Sequence, residues 1–135
     1  RYLIDTNVIS EVMRRQPDPG VLEWFAGLDA VLVSVITYDE VVYGLCRQRL
    51  LEKLAWFRQF CSSRGQTLEV TEGIARWSGE TRARLSRRGI AMTMADSLIA
   101  GAAHENGLVL ATRNTRDFKH TDIALFNPFL RRVQV

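Results

Sequence analysis

Asp5, Glu40, Asp96 and Asp117 each stand just beyond a short apolar run of the chain. If those runs are strands of one parallel sheet, all four carboxylates reach the same edge, because ligand sites in open α/β sheets form outside the carboxyl ends of the strands. Acids gathered at one edge repel one another unless a cation holds them. Hard carboxylate oxygens select a divalent metal, and the chemistry expected of such a site is phosphodiester hydrolysis. Taken singly, each acid also has an ordinary structural role. Asp5 or Thr6 can cap a first helix, Glu40 can complete a capping box, Asp96 can answer a helix dipole, and Asp117 can shape a turn. The combination favours a site, and it converges only in the parallel topology.

The elements that must position these residues follow from apolar periodicity. Tyr2 to Ile4 reads as a strand, and Val8, Ile9, Val12 and Met13 then recur at helical spacing. Pro17 and Pro19 mark a connector, after which Val21, Leu22, Trp24, Phe25 and Leu28 outline a second helix. Ala30 to Val35 is a β-branched strand candidate, and Thr37 with Glu40 fits the capping-box pattern of a helix running towards Arg47. Leu50, Leu54, Phe57 and Cys61 form the stripe of a further helix, which Gly65 is expected to stop. A strand over Thr67 to Val70, a helix on Ile74, Trp77, Thr81 and Leu85, and a helix opened by Thr93 and closed near Gly107 come next. Leu108 to Ala111 is a fourth strand and Ile123 to Phe126 a fifth at an edge. Strands alternating with helices predict a three-layer α/β/α sandwich around a mainly parallel sheet of four or five strands. Right-handed crossovers then set all the strand ends at one edge.

Composition bounds the rest. A chain of 135 residues with 47% hydrophobic and 24% charged content is expected to form one domain over residues 1–135 with its own core. No apolar run approaches the roughly 20 residues that span a bilayer. The opening RYLIDTN is too short and too acidic for a signal peptide, so a cytoplasmic protein without membrane function is expected. Cys46 and Cys61 lack CxxC spacing, and two reduced, packed thiols are expected rather than a disulfide or a zinc site. The formal net charge of +3 rises by four if the suspected ligands are neutralised, leaving a basic surface around an acidic hole. Arg82, Arg84, Arg87, Arg88, Arg113 and Arg116 supply much of it. Such a distribution suits a polyanion drawn to a metal, and it equally suits a solvated arginine face.

The segments LIDTNVISE, SVITYDEVVYG, TMADSLIAGAA and LATRNTRDF resemble, in order, the four signature stretches of PIN-domain proteins. More narrowly, they are similar to those of the VapC-like and FitB-like toxins of bacterial toxin–antitoxin pairs. The resemblance spans nearly the whole chain. It implies a magnesium- or manganese-dependent endoribonuclease, with Asp5, Glu40 and Asp96 as core acids and with Asp5 and Asp96 binding the principal ion directly. Some relatives place a fourth acid where this chain has Asn114, and others where it has Asp117. Thr6, Asn7 and Thr112 are expected to orient the carboxylates through hydrogen bonds, although a helix cap is an equal reading for Thr6. Arg113 and Arg87 are the expected RNA contacts. The resemblance also implies a cognate antitoxin as protein partner and a homodimer. The apolar faces carrying Trp24, Phe25, Trp56, Phe57 and Phe60 offer the antitoxin seat, with some of these rings expected in the core and the exposed remainder forming the groove.

Other uses of such acids fit less well. A phosphotransferase of the haloacid-dehalogenase type needs a second acid two residues after the first, where this chain has Asn7. A receiver domain needs an aspartate after its third strand, where this chain reads Val70-Thr71-Glu72. Asp39 lies about 100° round the helix from Glu40 and reads as surface, as His104 and His120 read as surface or packing residues. The remaining alternative is a noncatalytic PIN-fold module that binds RNA or a partner.

Overall fold

The computed structural model describes residues 1–130, so the last five residues of the expected unit lie outside the described residues. Among the described residues, five strands form one sheet: β1 (Tyr2–Ile4), β2 (Val31–Ser34), β3 (Gly65–Leu68), β4 (Val109–Ala111) and β5 (Leu125–Phe126). Seven helices separate them: α1 (Thr6–Val12), α2 (Pro19–Ala26), α3 (Val35–Arg47), α4 (Leu51–Ser63), α5 (Glu72–Arg87), α6 (Met94–Glu105) and α7 (Thr115–Phe118). Every pairing is parallel, in the order β3-β2-β1-β4-β5.

The layers follow from the period of two along each strand. Ile4, Val31, Val33 and Ala111 face a core shared with Val8, Val21, Phe25, Val41 and Phe57 from α1 to α4. Leu3, Leu32 and Leu110 face the opposite core with Ile74 of α5, Ile99 of α6 and Phe118 of α7. Strands buried on both faces need continuous apolar sequence, which YLI, VLV and VLA supply. The strand order turns back at β1, with β2 and β3 laid down on one side and β4 and β5 on the other. A right-handed crossover therefore carries α1 to α4 to one face and α5 to α7 to the other. The reversal leaves a crevice between the ends of β1 and β4, where a ligand site of this architecture belongs.

Four local expectations need correction. Val35 opens α3 instead of closing β2, and Ser34 is the cap, accepting the Ile36 N–H at 3.1 Å. Thr37 is wholly buried inside the helix, so Glu40 sits in its second turn and completes no capping box. β3 begins two residues earlier than expected, at Gly65. A Cβ there would lie 3.2 Å from the Cα of Cys61, so glycine permits the close return from α4 into the sheet. Cys46 is exposed rather than packed, whereas Cys61 is half-buried.

Candidate active site

Asp5 is the first residue past β1, and its own N–H donates to the Ala111 carbonyl at 2.9 Å, tying the ends of β1 and β4 together. Its extended backbone (φ −77°, ψ 160°) makes it the cap of α1, with Oδ1 accepting the Thr6 N–H at 2.8 Å. The capping and ligand readings are therefore compatible, because Oδ2 points elsewhere. Oδ2 accepts the Thr112 hydroxyl at 2.7 Å and the Asn7 amide at 3.2 Å. Thr112 is fully buried, and its oxygen also accepts from the Asn7 amide at 3.2 Å and the Asn114 N–H at 3.0 Å. One donated and two accepted bonds use the whole capacity of a hydroxyl. Asn7 completes the link, its Oδ1 accepting the Arg113 N–H at 2.9 Å. Asp5 is thus fixed in place by the loop after β4.

On the other side, α3 brings Glu40 to α1. The Thr6 hydroxyl lies 2.6 Å from Glu40 Oε1 and 3.4 Å from Thr37 Oγ1. With one proton to give, Thr6 donates to the carboxylate, and the longer contact is left for Thr37 to donate back. The side chain of Thr6 therefore orients Glu40 rather than capping α1. Thr37 is a support that sequence reasoning missed; the three-residue spacing of Thr37 and Glu40 was its signal, because i and i+3 share a helix face.

Asp96 enters from the first turn of α6, whose cap Thr93 accepts the Asp96 N–H at 3.1 Å. Its carboxyl is held above the ordinary carboxylate range, first by burial and then by the charges of Asp5, Asp117 and Glu40, with Thr93 opposing. That repulsion means all four acids share one electrostatic neighbourhood. Asp5 is also raised, chiefly by burial, against the lowering hydrogen bonds from Thr112 and Thr6. Asp117 is exposed in the first turn of α7. Asn114 is the exposed cap residue of that helix, makes no side-chain cap bond, and accepts the Asp117 N–H at its carbonyl at 3.0 Å.

The oxygen donors suit a hard cation, and burial with mutual repulsion raises the Asp5 and Asp96 carboxyls. Among the described residues, no three carboxylates stand close enough to form a ligand cage alone.

Arg113 is exposed next to this network, with its guanidinium carbon 4.4 Å from the centre of the Phe129 ring. Arg87 stands apart from the acids. It lines with Arg84 and Trp77 a cleft of about 560 Å³ along α5. Ser78 meets Ser97 at 2.6 Å while Ile74 abuts Gly101, so α5 runs antiparallel to α6 and its basic end projects past the start of the helix that carries Asp96. Asp39 is exposed, and His104 stacks on Trp77 at 5.1 Å. Of the expected aromatic seat, Trp24, Phe25, Phe57 and Phe60 belong to the core, and Trp56 alone is an exposed large side chain. α2 and α4 bury the other four against the sheet, so Trp56 is the exposed remainder of that seat.

A family model described as the PIN domain matches residues 2–124. This chain belongs to the PIN-domain family. It is similar to Toxin FitB of Neisseria gonorrhoeae, with 32% identity over 94% of this chain and 97% of that protein. It is also similar to the tRNA(fMet)-specific endonuclease VapC of Shigella flexneri, with 29% identity over 88% of this chain and 90% of that one. Among solved toxin–antitoxin assemblies, FitAcB from Neisseria gonorrhoeae superimposes with a TM-score of 0.81 and 31% identity, covering 96% of this chain and 99% of that chain. No helix of the described residues is long and apolar enough to cross a membrane.

Proposed function

We propose that this PIN-domain chain is the ribonuclease toxin of a toxin–antitoxin pair, an endoribonuclease that hydrolyses RNA phosphodiesters with magnesium or manganese in the cytoplasm. The observation that carries the reading is the bonded network at the ends of β1 and β4, where Thr112 and Asn7 hold Asp5 and Thr6 joins it to Glu40, with Asp96 entering from the first turn of α6. The endonuclease and toxin names of the related proteins supply the reaction class. Asp5 and Asp96 would hold the ion, Glu40 would act beside them, and Asp117 would serve a second ion or orient the attacking water. When bound, the ion supplies Lewis acidity at phosphorus and makes water a stronger nucleophile. The chain's own contribution is positional: Thr112, Asn7 and the Thr6 N–H fix Asp5, while the Thr6 hydroxyl fixes Glu40. The basic end of α5, beyond the start of α6, would draw in the RNA backbone, while Arg113, bonded through its N–H to Asn7, would face the strand nearer the acids. A cognate antitoxin is the expected protein partner, with a homodimer as the expected toxin unit.

The test is cleavage of RNA by purified chain in manganese and in excess chelator, with end mapping of the products. Cleavage that stops in chelator and in Asp96→Asn is the expected result. Equal cleavage by parent and variant in chelator would remove the metal site, and no cleavage at all would favour a noncatalytic binding module.

A further inference from the structure

Beside the acids lies a cleft of about 230 Å³, lined by the Arg113–Phe129 pair, Arg14, Glu11 and the turn from Pro17 to Pro19. Arg113 is anchored there at three points. Its N–H is held by Asn7 Oδ1 at 2.9 Å, its carbonyl accepts from the Asn127 amide at 3.4 Å, and its guanidinium lies over the Phe129 ring. Asn127 fixes the ring as well, because its Oδ1 accepts the Phe129 N–H at 3.0 Å. Asn7 also bonds Asp5, so the guanidinium is held in register with the acid cluster.

The charges of the cleft indicate its occupant. Glu11 is buried and accepts from Arg14 at 3.1 Å and from the Asp18 N–H at 2.8 Å. Arg14 is thus paired with Glu11, and what the cleft offers beside that pair is the Arg113 plane lying on its ring. It suits a flat, uncharged group that stacks on a guanidinium plane, as unpaired RNA bases do. We propose that Arg113, backed by Phe129, is the stacking platform for one base of the RNA strand next to the scissile phosphodiester. Phe129 and Asn127 are positioning residues for that plane. This inference rests on the ribonuclease reading and assigns a base-binding subsite to it.

The test measures binding of a fluorescein-labelled, mixed-sequence single-stranded RNA, and of copies each carrying one abasic ribose, to Asp96→Asn chains that cannot cut. Arg113→Lys keeps the charge and loses the plane. It should weaken binding of intact RNA on the order of tenfold with an unchanged salt slope, and should add no further loss for the abasic copy to which the Asp96→Asn chain is most sensitive. Phe129→Leu, checked for folding by thermal melt, should show part of the same loss and the same insensitivity. Arg113→Lys binding as tightly as its background, or losing equally on intact and abasic RNA, overturns the proposal. So does an Arg113→Lys chain that keeps its RNA affinity and loses a co-expressed antitoxin, because the cleft then belongs to the protein partner. A chain that shows the expected stacking pattern but never cuts RNA in manganese overturns the ribonuclease reading alone.

Discussion

Asp5 and Asp96 are both raised by burial, but both oxygens of Asp5 are held by donors, so the same substitution does opposite things to them. Both oxygens of Asp5 accept hydrogen bonds from fixed donors, and an amide nitrogen at either position would face a donor. Asp5→Asn should therefore lose activity and also cost about 1–3 kcal/mol of stability. Asp96 sits in the first turn of α6, where a negative charge gains up to about 1 kcal/mol from the helix dipole. Its raised carboxyl shows that burial and the three neighbouring acids outweigh that gain. A raised folded-state value means the folded chain holds protons that the unfolded chain has released, so metal-free stability falls as pH rises from the ordinary carboxylate value through the raised ones. Asp96→Asn should thus raise the melting temperature at pH 7 in chelator, flatten its fall with pH, and abolish cleavage. A lower melting temperature for that variant at pH 7 would mean that the repulsion is not there. The fourth ligand position is decided in the same way. Asp117 is within charge reach of Asp96, and Asn114 carries no charge, so Asp117→Ala should lose at least tenfold more activity than Asn114→Ala, on the order of one unpaired charge contact. The reverse order in single-turnover cleavage moves the ligand to Asn114.

At the scale of elements, helix endings determine how the strands re-enter the sheet. α6 ends with Gly107 at φ +61°, Leu108 N–H returning to the Ala103 carbonyl at 2.9 Å and Gly107 N–H to that of His104 at 3.3 Å. This paired bonding is the Schellman ending, and it feeds directly into β4. α5 closes in the same way on Gly89 at φ +74°. α3 repeats the geometry with Arg49 at φ +57°, where a side chain opposes the left-handed backbone. Gly107→Ala should therefore cost about 1 kcal/mol, and Arg49→Gly should gain about 0.5 kcal/mol after the added freedom of the unfolded chain is subtracted. Thermal melts of the two variants moving in the same direction would contradict this. Gly107 and Thr93 were legible in the sequence because the residue types at helix ends are few. The second turn of α3 was not. Ser34 and Thr37 are both competent caps, and only the burial of Thr37 against α1 decides between them. Asp5 was legible as a strand-end residue because parallel topology constrains where strand ends go, whereas Asp96 follows no strand and enters from the first turn of α6. Thr6, Asn7 and Thr112 were named as supports by the resemblance, but the pairings Thr6–Glu40 and Asn7–Arg113 were not legible, because they join residues far apart in the chain.

At the scale of the molecule, the question is where a partner can cover so open a site. The core takes Trp24, Phe25, Phe57 and Phe60, leaving Trp56 with Val12, Met13 and Lys53 around a small apolar cleft of about 210 Å³. Met13 and Lys53 also line an adjoining cleft of about 240 Å³ that contains Glu40. A groove of mixed lining, with Arg14, Gln48 and Lys53 beside Met13, Leu45 and Leu50, thus runs from Trp56 to Glu40, fit for an amphipathic helix whose cationic end reaches Glu40. Trp56 stacks on Phe60 at 5.1 Å but is 45% exposed, so Trp56→Glu should leave the fold intact while placing a charge in the seat. Co-expressed with its neighbouring open reading frame, the parental chain should co-purify with a small partner and lose RNA cleavage. Trp56→Glu should keep its cleavage and shed that partner, with a loss of about 2 kcal/mol or more if this residue is a centre of binding energy. Phe57→Glu, by contrast, should fail to fold, since Phe57 is fully buried. If Trp56→Glu retains the partner at the parental affinity, the antitoxin sits on another face, and the exposed ring belongs to contact between toxin copies.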